Sequence, residues 1–207
     1  MTRSWFSGRA GRFGLVAGRG SRFAVIVLVL PLLLLVPACC QFYDVPDQTH
    51  YVPLDILAGR PEAVVRTYAA PIIGLGPFAV HTWLITKRKN SSIFHRWEIW
   101  LCPGGDYGYV CVDYNALPSP GGSSYVVDEL IGPDAEPVVD FIERAAPVYP
   151  YESKYIALPG PNSNTFTQWM LDESGWGVQL GTCAVGAQWT PVGGWPEVQL
   201  SSTSAVP

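Results

Sequence analysis

Histidine, methionine and charge are what this 207-residue chain has least of: it holds three His, two Met, 13 Lys/Arg and 17 Asp/Glu. Charged residues make up 14% against 48% hydrophobic ones, the reverse of the balance that keeps a chain disordered. There is no CxxC pair and no His/Cys cluster, so no structural zinc site is expected, nor any other metal or cofactor. No internal repeat is visible, which excludes a solenoid. The length suits one domain with a real core and is too short for two comfortable ones. Basic residues are scarce everywhere but at the front. Arg3, Arg9, Arg12, Arg19 and Arg22 lie in residues 1–43, which carry no acid, while the remainder sets eight Lys/Arg against 17 Asp/Glu, a net charge of -9. A body of that sign does not attract nucleic acid, so no nucleic-acid partner is expected.

Behind the arginines comes an apolar run, Phe23–Ala38, broken only by Pro31 and Pro37. A basic flank before such a run reads as a signal or an N-terminal membrane anchor, with the arginines left in the cytoplasm. Extended through Cys39, Cys40 and Phe42, the run approaches the ~20 residues needed to span a bilayer. Val36-Pro-Ala-Cys39 has the small residue before cysteine of a lipoprotein processing site, with Pro37 atypical. An uncleaved anchor and a lipid on Cys39 therefore stand as equal alternatives, ahead of clean secretion. In each case the acidic body is expected outside the cytoplasmic membrane, with the membrane as a partner through residues 1–43. Residues 44–60 read as a tether, 61–195 as a single α+β domain and 196–207 as a frayed tail.

Within the domain, Glu62–Ala70, Phe78–Thr86, Ile93–Cys102, Tyr107–Tyr114 and Ser124–Ile131 carry β-branched and aromatic residues in strand-like patterns. The third is expected between the second and the fourth. Pro133–Ala146 has early acids and Val138, Val139, Ile142 and Ala146 at helical spacing, so it predicts a helix. Thr165–Glu173 predicts another, with Phe166, Trp169 and Met170 on its apolar face. Val178–Val185 is a candidate last strand. The charges of Lys87-Arg-Lys89 are expected to solvate a turn. Strands followed by helices argue α+β, with two or more helices packed on an antiparallel sheet after an N-terminal apolar anchor. Cys102 and Cys111 flank a turn-rich loop and are candidates for a disulfide across a hairpin, at even odds with two small buried thiols.

Pro159-Gly-Pro-Asn-Ser-Asn-Thr-Phe166 is the stretch with most to say about chemistry. A rigid turn leads into Asn162, Ser163 and Asn164, all strong N-cap residues, and then into the helix. Ser163 is placed where helix N–H groups favour negative charge, and Asn162 and Asn164 become candidate ligand-binding groups beside it. The plainer alternative is a well-made cap. A hydroxyl nucleophile needs a base and a residue to orient that base. The candidates are His81 as base and either His95 or Glu98 as orienter, with at most one of the two facing the site because they fall on opposite strand faces. Hairpin pairing of their strands is expected to bring His81 and His95 into one small region. A lone strand histidine is more often an ordinary satisfied core residue, and that reading stands ahead of the chemical one for each.

His81, His95 and Asn162-Ser-Asn-Thr-Phe166 resemble, in order and spacing, the permuted papain-like fold of lecithin retinol acyltransferases. That family has a cysteine where this chain has Ser163, and a serine needs more help from its base than a thiol does. Pro61-Glu-Ala-Val-Val65, Phe78-Ala-Val-His-Thr-Trp83, Tyr149-Pro-Tyr151, Pro159–Phe166 and Ala184-Val-Gly186 also resemble a family of bacterial membrane-associated proteins known only as a domain of unknown function. That resemblance covers roughly residues 60–190 and implies neither a reaction nor a cofactor. Three functions are weighed. The first is non-catalytic binding of an envelope peptide, glycan or lipid in a papain-like cleft. The second is a serine-dependent hydrolase or acyltransferase acting on an envelope amide or ester. The third is a scaffold for a membrane complex.

Overall fold

Five runs of β-branched and aromatic residues become five strands in a computed structural model of the chain. The residues it describes are 45–200, apart from 74, 76, 77, 102–106 and 114–123. The strands are β1 (Val64–Pro71), β2 (Val80–Lys87), β3 (His95–Leu101), β4 (Tyr107–Val112) and β5 (Tyr125–Ile131). They form one antiparallel sheet in the order β4-β3-β2-β1-β5. The chain thus runs outward from β1 to β4 and returns to the other edge for β5. Among the described residues three α-helices accompany it: α1 (Leu54–Ala58), α2 (Ala135–Ala145) and α3 (Ser163–Glu173). This is the α+β class expected. The apolar segment of residues 1–43, Cys39, Cys102 and most of the tail lie outside the described residues.

Pleat alternation sends successive strand residues to opposite faces, and both faces are covered. On one face Val65, Ala69, Val80, Leu84, Trp97 and Ile99 meet the helices in a single buried cluster. α2 lies over β1 and contributes Val138, Val139 and Ile142, while α3 lies over β2 and β3 and contributes Phe166, Trp169 and Met170. The other face holds a smaller cluster of Tyr68, Trp83, Ile85 and Val126, covered by Tyr51, Leu54 and Phe94.

Four expectations change. Residues 45–60 do not simply hang as a tether. The Gln48 amide pairs with the backbone of Val126 in both directions, Val52 O accepts from Arg66, and Leu57 is fully buried. Strand-face coverage wins here because Tyr68 and Trp83 would otherwise meet water. Val178–Val185 forms no strand. Gln168 of α3 holds it instead, donating to Val178 O and accepting from Leu180 N. Lys87 does not solvate a turn: its ammonium is buried and donates to the carbonyls of Arg60, Glu62 and Ser91. Burial pulls its pKa below the ordinary lysine value. Finally, α3 is not amphipathic, because every residue from Ser163 to Leu171 is buried. Its polar side is enclosed by the chain that follows it.

Candidate functional site

The beginning of α3 is a closed capping box. Asn162 Oδ1 accepts from the backbone N–H groups of Asn164 at 3.0 Å and Thr165 at 3.2 Å, and Asn162 N donates to Thr165 Oγ1 at 3.1 Å. The remaining polar groups are engaged as well. Asn162 Nδ2 donates to Ala157 O and Val185 O, and Thr165 Oγ1 donates to Gly186 O at 2.6 Å. Gly186 has φ +90°, and a Cβ there would lie 2.2 Å from Asn162 Nδ2. Only a glycine lets the Asn162 amide approach the backbone this closely.

Asn164 then locks the helix to the sheet. β2 pairs with β3 only from Leu84 to Thr86, which leaves the β3 side of its first residues open. The Asn164 amide fills that gap. Oδ1 accepts from Thr82 N at 3.1 Å and Thr82 Oγ1 at 2.9 Å, while Nδ2 donates to Val80 O at 2.9 Å and Val185 O at 3.0 Å. A side chain here completes a strand's backbone hydrogen bonding, as a neighbouring strand would. The two asparagines expected beside a ligand therefore have every polar atom in a structural bond.

Between Val80 and Thr82, His81 turns to the other face of the sheet, stacked on Trp83 with ring centroids 5.7 Å apart and against Trp100 at 4.7 Å. Its Nε2 lies 2.8 Å from Glu98 Oε2. Glu98 also accepts from Arg96 at 2.9 Å, and the Arg96 guanidinium sits 4.1 Å from the centroid of the Trp83 ring. Burial by itself would raise the Glu98 pKa, but the hydrogen bonds and charges of His81 and Arg96 outweigh it and hold the carboxyl at about 2. His81 Nδ1 is buried and has no hydrogen-bond partner.

Of the residues expected at one site, the structure joins His81 to Glu98. Ser163 is buried and no hydrogen bond joins it to His81. His95 pairs with Thr86, five residues along β2 from His81, which is about 17 Å. The expected meeting of the two histidines fails because antiparallel register sets early residues of one strand against late residues of the next. His95 Nδ1 instead lies 2.7 Å from Asp113 Oδ2. Cys111 is disulfide-bonded, and its expected partner Cys102 lies outside the described residues, as does Cys39. Among the described residues no group of three His, Cys, Asp or Glu could hold a metal ion, and no helix is long and apolar enough to cross a membrane.

Sequence reasoning did not find the groove on the outer face. A cavity of about 590 Å³ opens between the segment leading into α1 and the sheet, with Tyr51, Leu54, Ala58, Tyr68, Phe94 and Val126 among its walls. Arg66 lies in its floor, buried, donating to Glu129 Oε2, Tyr68 OH at 3.0 Å and Val52 O at 2.8 Å. The available signal was charge inside strand patterns: Arg66, Arg96 and Glu98 all interrupt apolar runs, and all three are buried.

A family model described as protein of unknown function (DUF3750) matches residues 62–189, more than half of the chain. No curated protein and no solved structure matches it. The match takes in all five strands, α2 and α3, and leaves out the segment that forms the near wall of the groove.

Proposed function

The chain belongs to the DUF3750 family of unknown function, and we propose that it acts by binding rather than by chemistry. In this reading it is a membrane-anchored, extracytoplasmic domain whose outer groove takes the apolar part of an envelope lipid. The groove carries the proposal. Its volume of about 590 Å³ falls in the range of small-molecule sites, about 300–1,000 Å³. Its rings and aliphatic walls offer apolar contact, and Gln48, Arg66 and Tyr68 are already held by partners within the domain, which leaves the Tyr51 hydroxyl and the Asp55 carboxylate at its rim. A glycan would call on unengaged polar groups beside those rings; an acyl chain needs none.

The serine-dependent alternative has one supporting observation, the His81–Glu98 contact, which is half of an acid–base relay. It lacks the other half, a bond from the base to the hydroxyl, since Nε2 faces Glu98 and Nδ1 is sealed. Two measurements separate the readings. Full-length protein, delipidated and titrated with a single phosphatidylglycerol, is expected to show one saturable lipid per chain by native mass spectrometry. Ala58→Trp, which fills the groove, is expected to weaken that binding at least about tenfold. Undiminished binding by the variant would reject the groove. Fluorophosphonate is expected to label neither wild type nor Ser163→Ala; labelling confined to wild type would establish the enzyme instead.

A further inference from the structure

We propose that the tip of the β1–β2 hairpin is a lipid-facing surface that docks one end of this domain on the bilayer. The inference rests on the membrane anchor of the preceding reading and is independent of the groove. Ile73 is fully exposed, and Leu75 and Phe78 are 52% and 37% exposed. No Asp, Glu, Lys or Arg occurs between Arg66 and Lys87, so the tip stands in an uncharged stretch of twenty residues. Three large exposed apolar side chains within six positions mark an interaction surface rather than ordinary solvent contact.

Among the described residues of the tip, several backbone donors are bonded within it, from Ile72 N to Ala79 O at 3.0 Å, Leu75 N to Ile72 O at 2.9 Å and Phe78 N to Leu75 O at 2.7 Å. Peptide groups satisfied in this way can enter the interfacial region without stranding donors. Ile156 and Leu158, 51% and 65% exposed, lie on the loop that closes onto Asn162, and the neighbouring Asn164 grips Val80, the first residue after the tip.

The path of the chain decides what covers this surface. The polypeptide enters the domain beside Val126, the second residue of β5, which pairs with Tyr68 three residues before the end of β1. Entry and hairpin tip thus share one end of the sheet. The apolar run ends at Ala38, ten positions before Gln48, and ten residues span at most about 36 Å. A bilayer holding that run lies within reach of this end. The opposite end is polar, with Arg88 paired to Asp140 and Glu143 and Lys89 paired to Glu136. A bilayer held on a short tether favours an apolar end that coincides with the entry point; a protein partner or a second copy gives no reason for it.

The test uses the full chain in vesicles of phosphatidylethanolamine and phosphatidylglycerol. A diazirine amino acid is placed at position 73 and, as a control, at position 93, where Ile93 is the same residue type, 62% exposed, near the opposite end of the sheet. After irradiation, phospholipid adducts at 73 are expected to exceed those at 93 by at least about tenfold, because an inserted side chain is surrounded by acyl chains. Equal yields from a chain that resists alkaline carbonate would overturn the docking surface and leave the anchor standing. Crosslinks from position 73 to a second copy of the chain would overturn it in favour of self-association. Release of the chain by carbonate would remove the anchor and the inference together.

Discussion

Replacing Asn164 by Ala, beside the control Ser163→Ala, tests whether the start of α3 is a joint or a reactive site. Both side chains are buried, they are adjacent, and both sit in the motif that drew attention to this helix. Their bonding differs completely. The Asn164 amide makes four hydrogen bonds, two of them to backbone groups of β2 that no strand covers. Truncation leaves Val80 O and Thr82 N buried and unmet, at about 1–3 kcal/mol each, so Asn164→Ala is expected to cost about 3–5 kcal/mol. Ser163 Oγ joins none of these bonds, and Ser163→Ala is expected to change stability by no more than about 0.5 kcal/mol. Denaturant unfolding of the full chain in mild detergent, followed by tryptophan fluorescence, reads both. A loss below about 1 kcal/mol for Asn164→Ala, with an unchanged slope, would refute the claim that this amide stands in for a strand. A loss above about 1.5 kcal/mol for Ser163→Ala would show that the hydroxyl has a structural task not visible in its bonding.

Acid should expose the buried pair on the other face. The Glu98 carboxyl is held at about 2 against an ordinary 4.5, so the folded state resists its protonation. Its contribution, about 3 kcal/mol, is fully present above pH 4.5 and is lost as pH falls toward 2. Glu98→Gln should remove that slope between pH 5 and 2, an outcome read from unfolding midpoints across the range; an unaltered slope would assign the acid sensitivity to other carboxylates. Gly186→Ala should destabilise by about 2–4 kcal/mol, since it adds a clash with Asn162 to the strain of a positive φ. Gly132→Ala, at φ +99° with nothing within 4 Å of its Cβ, should cost only the strain of about 1 kcal/mol. Equal losses in the two alanine variants would mean that the approach of Gly186 to Asn162 is unimportant.

Local chemistry along the chain was enough for the strands, for α2 and for the cap of α3. β-branched runs, a helical stripe at Val138, Val139 and Ile142, and three N-cap residues each act over one or two turns of chain. The α+β class follows from their order. Even the opposition of Glu98 and His95 across β3 was readable, because side-chain direction in a strand alternates with a period of two.

Other features depend on contacts between residues far apart in sequence, and only the tertiary structure decided those. Register set His95 against Thr86 and carried it away from His81, a consequence of where pairing begins rather than of either strand's composition. Val178–Val185 has the residues of a strand, yet Gln168 holds its backbone at Val178 and Leu180, and it meets the sheet through Cys183 O, which accepts from Val80 N. Residues 45–60 look like a polar leader, but the apolar outer face of the sheet needed a cover, and burial drew Leu57 and Tyr51 onto it. Asn164 could be named in advance as a residue suited to cap a helix. That it would instead finish the hydrogen bonding of β2 depended on the gap beside Val80 and Thr82, which exists only once β3 has diverged from β2.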